Sequence, residues 1–215
     1  MKRLATLLLA LILILPAAAL AEAPAPAPES GIDVSYEAYQ WSLYGTHYLT
    51  LVVTNNSDTL ATVNANIVFR DEGGNMVGAD SAELEGIDPS CSSIRNLMTN
   101  TAFSAFDCAL IAKAETYLVP SLAKITYEMN LVDKKAVLSV TNGNEYPVGW
   151  LAAHVIFFAN EVPLYCGEVS VVNEEIVPVM YLGAGKSMFV EVECYSETIP
   201  DSAKVYFTSV AYPKQ

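Results

Sequence analysis

This 215-residue chain repeats itself, and the repeat constrains its fold more than any other feature. Leu51-Val-Val-Thr-Asn55-Asn-Ser matches Leu138-Ser-Val-Thr-Asn142-Gly-Asn at an offset of 87 residues. Past the turn one residue is added, and Val63, Ala65, Ile67 and Phe69 then align with Leu151, Ala153, Val155 and Phe157. The match continues at Met76-Val77-Gly78 against Pro163-Leu164-Tyr165. About eight extra residues around Asn173-Glu174-Glu175-Ile176-Val177-Pro178 interrupt it, and it resumes as Ser104-Ala-Phe-Asp-Cys108 against Ser202-Ala-Lys-Val205-Tyr. Self-similarity of this kind means that one structural unit is built twice. Two domains follow, 31–119 and 121–215, joined near Pro120.

The apolar residues inside each copy recur with a period of two, as in Leu49, Leu51, Val53 and in Val63, Ala65, Ile67, Phe69, which is the signature of strands. Turn signals punctuate them about every ten residues: Asn55-Asn56-Ser57-Asp58, Asp71-Glu72-Gly73-Gly74-Asn75 and Asp88-Pro89-Ser90. Beyond the leader, no long stretch with a period of 3.6 bounded by caps interrupts this pattern. The expected fold is all-β: two tandem immunoglobulin-like or fibronectin-III-like sandwiches of about seven strands each.

The first copy also resembles a known family. Asn66-Ile67-Val68-Phe69-Arg70-Asp71, the turn through Gly73-Gly74-Asn75, and Met76-Val77-Gly78-Ala79-Asp80-Ser81 resemble the FxLYD-type domain. Val53-Thr54-Asn55-Asn56-Ser57-Asp58 is similar to the V-x-N-x-S turn before the same strand, so the likeness runs from about Leu49 to Leu97. It implies an immunoglobulin-like sandwich in exported bacterial proteins, with no catalytic site to carry over. Phe69-Arg70-Asp71 keeps part of the aromatic-acidic signature, and Asp88-Pro89-Ser90 replaces the usual Pro-Gly turn. The second copy has Phe158-Ala159-Asn160-Glu161 where the Asp-Gly turn would be.

Residues 1–21 read as a signal peptide: Lys2 and Arg3, an apolar run from Leu4 to Leu15, a break at Pro16, and Ala19-Leu20-Ala21 before the cleavage point. The competing reading is an uncleaved anchor, since Leu4 to Ala21 approaches spanning length. Residues 22–30 alternate proline with alanine and read as a stiff spacer or plain tether. Cleavage implies a secreted protein, retained in a periplasm or at the cell surface or released, with no membrane span left. It also moves the net charge from −13 to −15. Such a field repels nucleic acid, because phosphate binding needs clustered Lys and Arg.

Cys91, Cys108, Cys166 and Cys194 are disulfide candidates in an exported chain, paired most economically within each copy, with free buried thiols as the alternative. His47 and His154 stand alone in the sequence, His154 where the first copy has Asn66, and both read as surface histidines. No catalytic residue, metal ligand set or cofactor motif is assigned. Asp71, Glu72 and Asn75 around Gly73-Gly74 fit a hairpin turn better than a calcium loop, and Gly183-Ala184-Gly185-Lys186-Ser187 reads as a turn rather than a phosphate loop. Asn55-Asn56-Ser57 fits the glycosylation pattern and reads as a turn. The candidate binding residues are the aromatic cluster Tyr36, Tyr39, Trp41, Tyr44 and Tyr48, which form either a platform for a protein or glycan or the packing of a first hairpin. The expected function is a non-enzymatic interaction module outside the cell, the alternative a structural spacer or self-associating component.

Overall fold

The computed structural model describes residues 31–119, 121–176 and 179–209; the expected signal peptide and spacer lie outside these residues, as does Pro120. The first sandwich has six strands, β1 (Val34–Leu43), β2 (Thr46–Asn55), β3 (Ala61–Arg70), β4 (Met76–Ile87), β5 (Ser92–Thr99) and β6 (Ala105–Ala114). They form two three-stranded sheets, ordered β1-β2-β5 and β4-β3-β6, with every pair antiparallel. The second sandwich repeats this layout with β7 (Ile125–Val132), β8 (Lys135–Asn142) and β14 (Ser187–Glu193) in one sheet. Its other sheet holds β10 (Ala152–Ala159), β11 (Val162–Ser170) and β15 (Ser202–Thr208). Among the described residues there is no helix long and apolar enough to cross a membrane. The chain is therefore two tandem immunoglobulin-like sandwiches, with six principal strands in each rather than seven.

Alternation places each core between its two sheets. Leu49, Leu51 and Val53 from β2 meet Val63, Ala65, Ile67 and Phe69 from β3, and Leu138, Val140, Ala153, Val155 and Phe157 do the same in the second repeat. Burying each Val, Leu, Ile or Phe side chain among them contributes about 1.5–3 kcal/mol.

A buried asparagine holds the turn after β2 and after β8. Asn55, fully buried, donates from Nδ2 to the carbonyls of Thr59 and Ile87 at 2.8 and 2.9 Å, while its Oδ1 accepts the Ser57 N–H at 3.0 Å. Asn142 makes the same three bonds, to Tyr146 and Leu182 and from Asn144, at 3.0, 2.9 and 2.9 Å. Next to each asparagine a Thr–Ser hydroxyl pair ties two strands together, Thr54 to Ser92 and Thr141 to Ser187. The Asp88–Cys91 and Gly183–Lys186 turns close alike, with Ser90 (φ 59°) where the second repeat has Gly185 (φ 65°). With its amide consumed inside the fold, Asn55 is a turn residue and not a glycan acceptor in the folded chain.

The eight extra residues of the second repeat enter where the first has a bulge. In the first sandwich the β3–β4 ladder slips between Ala61 and Val63. In the second the ladder is cut there. Its far end becomes β9 (Val148–Gly149) paired with β13 (Val179–Leu182), and β12 (Glu174–Ile176) is added alongside. Trp150 stands at the cut, with a positive φ of 52° and its N–H donated to Met180 at 2.9 Å. The late part of the repeat also differs by one residue from its sequence alignment. Ser104 and Asp201 both donate to the strand end they adjoin, Arg70 and Phe158, so Cys108 corresponds to Val205 and not to Tyr206.

The two sandwiches dock sheet on sheet. The outward face of β1-β2-β5 packs Trp41, Val52 and Ile94 against Ile156, Phe158 and Cys166 on the outward face of β11-β10-β15. Asp88 fastens the connection: one carboxylate oxygen accepts the N–H groups of Ser121, Leu122 and Ala123, the longest at 3.1 Å.

Candidate functional site

The parity of β1 splits the predicted aromatic cluster. Tyr36 shares a face with Ala38 and packs onto the first core, whereas Tyr39 and Trp41 point the other way, toward the second repeat. Trp41 is only 8% exposed. It stacks on Tyr48 with ring centres 3.9 Å apart and meets the edge of Tyr165 at 5.2 Å. Its indole N–H donates to Thr50 Oγ1 at 2.8 Å, and Thr50 donates on to Asn96 Oδ1 at 2.7 Å. Tyr39 packs edge-on against Phe158 at 5.4 Å and takes a hydrogen bond from Lys204 Nζ at 2.6 Å. Burial, reinforced by its bond to Glu37, pushes its hydroxyl up to about 12. Tyr44 alone is free, 89% exposed at the tip of a two-residue hairpin in which both it and Gly45 have positive φ. Three of the five aromatics thus join the domains, one supports a core, and one faces solvent.

A cleft of about 350 Å³ lies beside this junction, walled by both repeats. The first repeat supplies Glu83 and Glu85 from β4 and Arg95 from β5; the second supplies Trp150, His154 and Glu168. His154, expected at the surface, is 6% exposed, because the face of β10 that carries it lies against the first repeat. Its Nε2 is 2.9 Å from Thr208 Oγ1. Among the described residues Nδ1 has no hydrogen-bond partner, and Glu168 Oε2, at 3.7 Å, is beyond bonding distance. Desolvation holds the imidazole below its ordinary pKa; the Glu168 carboxylate opposes this and the Arg95 charge adds to it. The ring is therefore neutral near pH 7. Trp150 is 43% exposed at the cleft wall. Sequence reasoning passed over it; the interrupted repeat just downstream was the available signal.

The four cysteines are free thiols, a correction to the pairing expected within each copy. Cys91 closes a turn at a strand end while Cys108 sits opposite Ile67 in the first core, and Cys166 and Cys194 belong to different apolar clusters. Burial pushes the Cys108 and Cys166 thiols up to about 11. At the acidic turn, Asn75 donates to both carboxylate oxygens of Asp71, at 3.2 and 3.1 Å, as a hairpin requires. His47, half-buried on β2, is in the other sandwich from His154.

The sequence matches no family model and no curated protein. Among solved structures, red sea bream transglutaminase matches with a TM-score of 0.26 and 9% identity, over 86% of this chain. The match takes in 31% of the transglutaminase chain.

Proposed function

We propose that this protein is an exported, non-enzymatic interaction module whose two immunoglobulin-like domains dock as one unit and receive a protein or glycan partner in the cleft between them. The observation that carries this reading is Trp150, a large aromatic in a left-handed backbone conformation, exposed over a cleft to which both domains contribute. Non-glycine residues at positive φ are uncommon, and such conformations gather at ligand sites. A flat ring beside carboxylates and Arg95 offers a stacking face with hydrogen-bonding groups around it, which suits a sugar ring or a peptide side chain. The group nearest to a catalytic arrangement is Thr208, His154 and Glu168. With the carboxylate 3.7 Å from Nδ1, the imidazole lacks the orienting hydrogen bond that an activated hydroxyl needs, which supports binding over catalysis. The FxLYD-type resemblance and export through the leader belong to the same proposal.

The test is capture of cell-surface peptides and a glycan panel by the wild type, Trp150→Ala and Trp41→Ala. Trp150→Ala is expected to abolish capture at an unchanged melting temperature, whereas capture undiminished by this change would contradict the reading. A second reading, a structural spacer, is favoured by the use of Tyr39, Trp41 and Tyr48 as interdomain packing. Scattering that shows a stiff rod, with no captured ligand, would select it.

A further inference from the structure

We propose that the cleft takes the cationic end of a basic peptide segment, a lysine ammonium or an arginine guanidinium, whose N–H donors are shared between His154 Nδ1 and the Glu168 carboxylate. The inference rests on the cleft being the binding site, and it names the chemistry of the ligand. Three observations carry it. His154 is more than nine-tenths buried, lines the cleft, and has its Nε2 engaged by Thr208, leaving Nδ1 as a buried atom without a partner among the described residues. Buried polar atoms are nearly always satisfied, so an orphan at a cleft wall marks a place for a ligand atom. In the tautomer whose Nε2–H donates to the Thr208 hydroxyl, Nδ1 is an acceptor and calls for a donor.

The second observation is the gap itself. Glu168 Oε2 stands 3.7 Å from Nδ1, and in that tautomer Nδ1 has no proton to offer across it. An N–H-rich group seated between Nδ1 and the carboxylate would satisfy both acceptors, whereas a carboxylate or phosphate would face two lone pairs. The third is charge. The charged groups that line the cleft with His154 are Glu83 and Glu85 on β4, Arg95 on β5 and Glu168 on β11, three carboxylates against one guanidinium, and of these Glu168 and Arg95 act on the imidazole. Desolvation, with the Arg95 charge adding to it, disfavours protonation of His154, while the surplus of carboxylates in the cleft favours a cation. Trp150 adds an aromatic face at the rim, where a cation gains further attraction.

The experiment is an NMR titration of the protein, following the Trp150 indole and the His154 ring nitrogens. The probes are butylammonium, butylguanidinium, butyrate and a neutral disaccharide. The two cations are expected to shift both signals saturably. Glu168→Gln is expected to weaken them about tenfold, the worth of one charge-assisted hydrogen bond. Arg95→Gln is expected to strengthen them, a change of opposite sign that simple loss of structure does not produce. Larger shifts with butyrate or the disaccharide would overturn the cationic assignment and leave the cleft as the binding site. No shift with any probe would overturn both.

Discussion

In the first repeat the outward side of the β1-β2-β5 sheet carries Trp41, Tyr48, Thr50, Val52 and Ile94; the same positions in the second repeat hold Val132, Lys135, Val137, Ser139 and Phe189. The other sheet shows the reverse. On β3 the outward residues are Asn64, Asn66, Val68 and Arg70, and on β10 they are Ala152, His154, Ile156 and Phe158. Each repeat therefore has one adhesive sheet, and the two adhesive sheets are not equivalent. An interface between unlike faces can propagate from molecule to molecule if each unit carries both faces. Here one repeat carries one face and the other repeat its complement, so a single chain satisfies both, and a largely polar sheet is left on each outer side.

The largest expected effect comes from breaking this asymmetry at its aromatic anchor. Trp41→Ala removes a buried indole and is expected to lower stability by about 3–5 kcal/mol in urea denaturation. Val132→Ala, at the equivalent exposed position, is expected to stay within about 0.5 kcal/mol. Equal losses would mean that the repeats do not dock as described. The asparagines sharpen the comparison from the opposite side, since Asn55 and Asn142 share three bonds. Asn55→Ala and Asn142→Ala are each expected to cost roughly 2–4 kcal/mol, from buried carbonyls and an N–H left without partners. A large difference between them would show that the shared turn is not a shared stabilising element.

A smaller effect belongs to His154, whose counterpart Asn66 does not titrate. Its folded pKa lies below the ordinary value, so its contribution to stability is complete above about pH 6.5, where the unfolded side chain is neutral. That contribution falls as the pH drops from there through the folded pKa, because the unfolded chain then binds more protons. His154→Gln is expected to flatten the stability profile across this acidic window; an unchanged slope would contradict the buried, neutral imidazole. The smallest effect is at the rim, where Lys204 meets Glu37 at 3.2 Å with both side chains largely exposed. Lys204→Met is expected to change stability by less than about 1 kcal/mol and to reduce its salt dependence.

Much of this fold was legible because the repeat and its turns are local patterns. Leu51 to Ser57 and its copy gave the paired strands, and the alternation of β2 and β3 gave the cores. The docking was harder to read, because an outward residue reveals its partner only once another domain is present. Still, β10 carried a signal: Ala152-Ala-His-Val-Ile-Phe-Phe-Ala is apolar on both faces, where β3 alternates with asparagine. Trp41 and Tyr39 share parity, which placed them on one side of a strand without saying what that side meets. The place of Trp150 follows from the ladder cut at the insertion, since its counterpart in the first repeat, Thr62, lies inside the continuous strand β3. The cysteine pairing failed because separation along the chain says nothing about which face of a sheet each thiol occupies.

The central claim is that the two repeats form one body through unlike sheets. Residual dipolar couplings from backbone amides of both repeats, fitted separately, test it most directly. The docked arrangement predicts a single alignment tensor for the wild type and two independent tensors once Trp41 is replaced by a charged residue such as aspartate. Two independent tensors in the wild type would contradict it.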